Sequence, residues 1–201
     1  MKRIIDIIKN PAEAIKSAKK EGDLMKTSII MIEGLLFAVV AMIIMMARFG
    51  FDVGSVLSLV ATVFVGGSVA MIVLGYLLKI TMNILGGHGS FYEGLTAVTY
   101  SVIPLSVGLL IVAVLSYIPI LGIFISFLIM SVLGVMGAAL FYRATKEMFA
   151  TDMITTMVGI SVLILGLFIA FYISAITGVL GMSSMLGEIP VEALTNLTSL
   201  V

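Results

Sequence analysis

The chain has 201 residues, of which 61% are hydrophobic and 11% charged, with acids and bases in equal number. Soluble domains carry about 25% charged residues, and a soluble fold this apolar would expose large adhesive patches. Cysteine is absent, which excludes disulfides, thiolate metal sites and cysteine nucleophiles.

In chain order, residues 1–27 come first and mix acids with bases, so no cleavable signal peptide is expected. They read as a cytoplasmic amphipathic segment made of two short pieces. Asn10-Pro11-Ala12-Glu13 carries a helix-start signature, with Asn10 as cap and Pro11 at the first helical position. Gly22 offers a stop. Between them Ala14, Ile15 and Ala18 share one face, and Lys16, Lys19 and Lys20 are placed to reach anionic headgroups or a cytoplasmic partner.

Apolar runs then follow at Ser28–Ala47, Ser55–Leu78, Leu95–Leu115, Pro119–Phe141 and Ile154–Gly178. A spanning helix needs about 20 residues. Helices are the default spanning form, because a hydrocarbon core offers no water to backbone groups. Barrel strands would alternate over about ten residues, and these runs do not alternate. Leu95 to Phe141 as one helix would be roughly 70 Å long against a core of about 30 Å. It must fold back, and Ser116-Tyr117-Ile118-Pro119 is the natural turn. The expected fold is therefore all-α, a bundle of five transmembrane helices. Residues 1–27 precede a transmembrane domain at 28–178, and a tail at 179–201 follows it.

Ten of the eleven Lys and Arg residues fall in the N-terminal segment and in alternate gaps; Arg48 alone lies on the other side. Cytoplasmic loops collect Lys and Arg, so the N-terminus is predicted inside and the C-terminus outside. The tail carries Asn196-Leu197-Thr198, an N-glycosylation sequon.

Small residues recur every four positions in several spans: Ser58, Thr62, Gly66 and Ala70 in the second, and Gly166, Ala170, Ser174 and Gly178 in the fifth. That spacing lets backbones approach closely, either within the bundle or between copies. Glu33 is the one ionisable residue inside the span windows. Intramembrane charges often mark ion paths, but Glu33 is near the inner surface, where it can snorkel or pair with Lys79. Tyr100 precedes Pro104 by four residues in the third span, and a kink there would open a small polar pocket.

No catalytic constellation, metal site or cofactor site is expected. The single histidine, His88, sits in a loop with Glu93 nearby, and no second histidine or cysteine joins them. Gly86-Gly87-His88-Gly89-Ser90 lacks the lysine of a phosphate-binding loop and follows a membrane helix rather than a strand. Its glycines permit positive φ and close backbone approach, with Phe91 and Tyr92 dipping into the interface.

Leu85-Gly86-Gly87-His88-Gly89-Ser90-Phe91, the Tyr100/Pro104 pair in the next span and the early Asn10-Pro11-Ala12-Glu13-Ala14 together resemble the Yip family of Rab/Ypt-GTPase-interacting membrane proteins. The likeness covers nearly the whole chain. The Asp-Leu-Tyr-Gly-Pro motif and long cytoplasmic N-terminal region of trafficking members are not found, so the compact prokaryotic branch is the better comparison. The resemblance implies a non-enzymatic polytopic protein of the prokaryotic cytoplasmic membrane. Membrane lipids, a homo-oligomer and a cytoplasmic protein are its candidate partners, and no nucleic acid is expected. A passive channel or small-solute permease lined near Tyr100, Pro104 and Tyr172 is the alternative, and an intramembrane enzyme a third.

Overall fold

Each apolar run forms a helix in the computed structural model. Backbone is described for residues 2–118 and 120–187, and side-chain surroundings for 4–48, 50–118 and 120–172. Two short helices, α1 (Lys2–Lys9) and α2 (Pro11–Glu21), lead into α3 (Leu24–Phe49). α4 (Val53–Ala61) runs through a π-helical turn at Thr62–Gly66 into α5 (Gly67–Ile84). α6 (Phe91–Leu115), α7 (Leu121–Phe149) and α8 (Met153–Gly187) complete the order. No strand occurs among the described residues.

Among those residues five helical stretches are long and apolar enough to cross a membrane: Leu24–Arg48, Val53–Ile84, Phe91–Leu115, Leu121–Phe149 and Met153–Tyr172. The chain divides into two compact units, Met1–Ile160 and Ser161–Val201. The backbone of α8 stays helical to Gly187, past the Gly178 at which hydropathy ended the run. The sequon at Asn196 and the remaining tail lie outside the described residues, as does Pro119.

Local sequence explains where the helices start and stop. α2 begins at Pro11 and ends at Gly22, whose φ of 57° is left-handed. The Asn10 side chain, expected to cap α2, makes no capping hydrogen bond. The cap that does form is one element later, where Asp23 accepts from the N–H groups of Met25 and Lys26 at 3.0 and 3.2 Å. α6 opens with a capping box built from Ser90 and Glu93.

In the first unit α6 is the hub, packing on α3, α5 and α7. In its most apolar window 44% of α6 is buried, against 6% for Val53–Ile84, so the latter is left almost wholly uncovered by the rest of the chain. Two glycines bring α5 and α6 together. A Cβ at Gly94 would lie 2.2 Å from the Gly75 carbonyl oxygen, and one at Gly75 would lie 2.9 Å from the Leu95 Cα. Gly137 of α7 abuts the Ser101 carbonyl in the same manner, at 2.8 Å. Without much hydrophobic drive between helices in lipid, such close approach is what holds them together. Thr27 and Thr96 place their hydroxyls 3.1 Å apart across the buried α3–α6 contact. Pro104 is fully buried inside α6.

Of the two roles expected for the four-residue stripes, close packing within the bundle is not the one the second span's stripe takes. Ser58, Thr62, Gly66 and Ala70 are all exposed, and a Cβ at Gly66 would meet nothing within 4 Å. Spacing puts small residues on one face without saying which face meets a neighbour.

Candidate partner and lipid interface at the glycine-loop end

The bundle has two unlike ends. At one end the α3–α4 and α6–α7 connections meet: Tyr117 donates to the Ile44 carbonyl at 3.2 Å, and Arg48 lies 5.8 Å above the Tyr117 ring. The other end gathers α1, α2, the glycine loop and the α7–α8 connection, and most of the expected site residues are there.

The loop is built by its own backbone. Gly86 takes a φ of 87°, where a side chain would be strained. The chain can then turn back so that the Gly87 N–H reaches the Met82 carbonyl at 2.9 Å. Asn83 braces the turn in both directions: its amide donates to the Gly89 carbonyl at 3.1 Å and accepts from the Gly89 N–H at 3.3 Å. The His88 N–H donates to the Phe149 carbonyl at 3.1 Å, joining the loop to the end of α7.

Gly89 lies against the Phe149 ring, where an added Cβ would sit 2.4 Å from Cδ1. Phe149 is completely buried and cannot move aside. At Gly87 an added Cβ would meet the Thr151 methyl at 2.9 Å and the Met82 carbonyl at 3.0 Å. Gly87 and Gly89 are therefore packing residues, and Gly86, the His88 side chain and Ser90 are the exposed parts of the loop.

Glu93 is committed within the capping box. It accepts from the Ser90 N–H at 2.8 Å and from the Ser90 hydroxyl. The Ser-x-x-Glu spacing at Ser90 was the signal for this role. No group of three or more His, Asp or Glu residues among the described residues is arranged to hold a metal ion.

The N-terminal helices are fastened to the same end. Ile4 and Ile7 of α1 and Ile15 and Ala18 of α2 are buried, and α1 packs on α6 while α2 packs on α7. The Tyr92 hydroxyl donates to the Ala18 carbonyl at 2.6 Å, and Lys19 Nζ donates to the Glu147 carbonyl. A cation at the last turn of α7 is favourable, because the helix dipole leaves negative charge there. Glu21 and Asp23 hold Lys26 at 2.9 and 3.5 Å. The apolar face of α2 is thus covered by the protein itself, and Lys16, Lys19 and Lys20 are exposed. Phe91 and Tyr92 are half-buried at the start of α6.

Asp152 sits beside this cluster. Its carboxyl is held below the ordinary value, chiefly by the Thr155 side chain, which with individually weaker backbone N–H bonds outweighs an opposing desolvation effect. Thr151 and Thr156 pair their hydroxyls at 2.8 Å next to it. Asn83, Phe149, Thr151 and Thr156 were not singled out in the sequence. Their roles depend on contacts between elements, and only Asp152 followed by a hydrophobic helix start gave a local signal.

Tyr100 is buried and lines a cavity of about 400 Å³ under α1 and α2, together with Asp6, Asn10, Glu13, Ser17 and Glu21. Pro104 is not among its walls. Glu33 is half-buried on α3, and Lys79 lies 5.6 Å over the Tyr76 ring. Tyr172 is exposed in the second unit, where Gly166 has open space beside it and Ala170 is exposed. The side chains of Ser174 and Gly178 lie outside the described residues.

Long apolar helices, a hub helix packed through glycines and polar groups gathered at the helix ends define a multi-pass α-helical membrane protein. Its family follows from the chain as a whole. The family model of the Yip1 domain matches residues 5–182, and the chain belongs to that family. Comparison with curated proteins and with solved structures gives no match.

Proposed function

We propose that this Yip-family membrane protein is a non-enzymatic scaffold. It binds a protein partner or anionic lipid headgroups through the glycine-loop end, which faces the cytoplasm of a prokaryotic cell. One observation carries this reading: α2 is pinned by its apolar face and by Tyr92, so that Lys16 and Lys20 stand exposed at the end of the spans. A helix held this way spends none of its lysines on burial and offers a fixed basic surface beside His88 and Ser90. The Lys and Arg bias supports the orientation. Basic residues near an anionic leaflet are worth about 1 kcal/mol each.

The test is crosslinking in native membranes followed by purification, with the Lys16→Glu/Lys20→Glu double variant beside the wild type. The expected result is a partner protein or bound anionic lipid recovered with the wild type and depleted with the variant. Recovery of the isolated protein alone, or equal recovery with both, removes the reading. A second reading, a small-solute permease, has in its favour the cavity of about 400 Å³ beside Tyr100. Flux into proteoliposomes no greater than into empty vesicles removes that one.

A further inference from the structure

We propose that the groove between α3, α4 and α6 at the Arg48 end is a binding site for one acyl chain of a membrane phospholipid. Its deep part has a volume of about 300 Å³ and is walled by Ala41, Met42, Met45, Met46, Leu59 and Leu109. Its shallow part, about 530 Å³, shares Met46 and Leu59 and adds the hydroxyl side chains Ser55, Ser58 and Thr62. The groove is thus apolar at depth and polar at its mouth, the pattern of an amphiphile.

Three physical arguments select a lipid chain over other occupants. Val53, Leu57 and Val65, on the helix run that forms one wall, are 75, 63 and 61% exposed, so the groove is continuous with the surface that meets hydrocarbon. Water needs about two to four polar partners in a buried site, and the deep walls are apolar side chains. An extended peptide segment would carry backbone polar groups into the hydrocarbon region unsatisfied, and a helix of a second copy is separated from lipid by the crosslinking below. An acyl chain meets neither obstacle. The methionines suit it, since an unbranched thioether adapts to an irregular chain. At the mouth Ser58 is exposed, while the Thr62 hydroxyl is already bonded to the Ser58 carbonyl at 2.8 Å.

This site lies at the opposite end of the bundle from the basic surface and stands or falls separately from it. The protein is reconstituted into vesicles of phosphatidylethanolamine and phosphatidylglycerol. The vesicles contain a phosphatidylcholine with a diazirine near the end of one acyl chain. After irradiation, labelled positions are mapped by peptide mass spectrometry. The expected result is labelling at Met42, Met45, Leu59 and Leu109 several-fold above that at Phe124, Phe127 and Leu128, which lie on the exposed face of α7. Leu109→Trp, which fills the groove, is expected to bring groove labelling down to the α7 level. Even labelling of the two surfaces in the wild type means annular lipid only and overturns the proposal. A crosslinked second copy of the chain at the groove positions, in place of lipid, overturns it as well. The wild-type distribution decides the matter even where the tryptophan variant fails to fold.

Discussion

The two ends of the bundle are held together by different means. At the glycine-loop end, hydrogen bonds to backbone carbonyls join separate elements: the His88 N–H to Phe149, the Tyr92 hydroxyl to Ala18, and Lys19 Nζ to Glu147. Completely buried side chains such as Phe149, Ile15 and Leu78 fill the space between them. At the Arg48 end the ties are fewer, chiefly Tyr117 to Ile44 and the Asp52 cap on Ser55, and the helices leave a groove between them. The glycine-loop end carries the more irregular backbone and, among the described residues, the more bonds between elements. The basic lysines ride on that cross-bonded end.

The largest expected effect comes from Gly94, where α6 touches α5. Gly94→Leu pushes a side chain into the Gly75 carbonyl, 2.2 Å from the position of the first added atom. Overpacking usually costs about 1–3 kcal/mol and here meets backbone, so a loss of about 3 kcal/mol or more is expected. Gly134→Leu, on an open stretch of α7 with nothing within 4 Å, is expected within about 0.5 kcal/mol of the wild type. Thermal unfolding in detergent measures both. Equal losses would show that the α5–α6 contact is not the tight one.

Gly89→Ala is next. Its Cβ would meet a buried ring at 2.4 Å, for an expected cost of about 1–3 kcal/mol. The damage is expected to be local, and faster hydrogen exchange at the His88 amide reads it. If the variant unfolds no earlier than the wild type, the loop is not wedged by Phe149 and the two ends are held alike.

Hydropathy made the five spans legible, because a spanning helix in lipid must be apolar along its whole length and nothing in a soluble fold imitates that. The start of α2 was legible as well, through Pro11, whereas the Ser90-x-x-Glu93 signal at the start of α6 was passed over by a span window that opened at Leu95. What the glycine loop does was not legible. Glycine density announces close approach, but the surface approached at Gly89 is Phe149, 60 residues away in sequence. The Gly75–Gly94 contact was hidden for the same reason: neither residue belongs to a repeating stripe, whereas the stripe at Ser58, Thr62, Gly66 and Ala70 repeats well and is left exposed. Lysine positions showed which residues to watch on α2. The burial of Ile15 and Ala18 against the protein, which leaves those lysines as the outward surface, depends on contacts from Tyr92 and the end of α7.

Tyr92→Phe tests that clasp directly. It removes one hydrogen bond and leaves the ring in place, so the expected loss is about 0.5–1.5 kcal/mol. Limited proteolysis of residues 1–23 is expected to speed up while the spans stay protected. A variant cleaved no faster than the wild type would mean that the buried isoleucines of α1 and α2 hold the clasp without Tyr92.

The smallest expected effect separates the two ends by pH. Asp52 and Asp152 both have carboxyls held below the ordinary value of 3.8, Asp52 first by the Ser55 side chain and Asp152 first by the Thr155 side chain. A carboxyl depressed in the folded state contributes stability that is fully present above its unfolded value. That contribution is lost as the pH falls through the lower folded value. Asp52→Asn and Asp152→Asn are each expected to be slightly less stable than the wild type at neutral pH, and the difference is expected to close below about pH 4. The two substitutions differ in what surrounds them. Asp152 caps a helix start beside the paired hydroxyls of Thr151 and the buried Thr156, whereas Asp52 and Ser55 face outward at the mouth of the groove. Loosening at Asp152 should therefore spread to its neighbours and raise hydrogen exchange at the amides of Thr151 and His88. Loosening at Asp52 should stay within the first turn of α4. If exchange at the glycine-loop end is as local as at the Arg48 end, the cross-bonding there does not make that end a single cooperative unit.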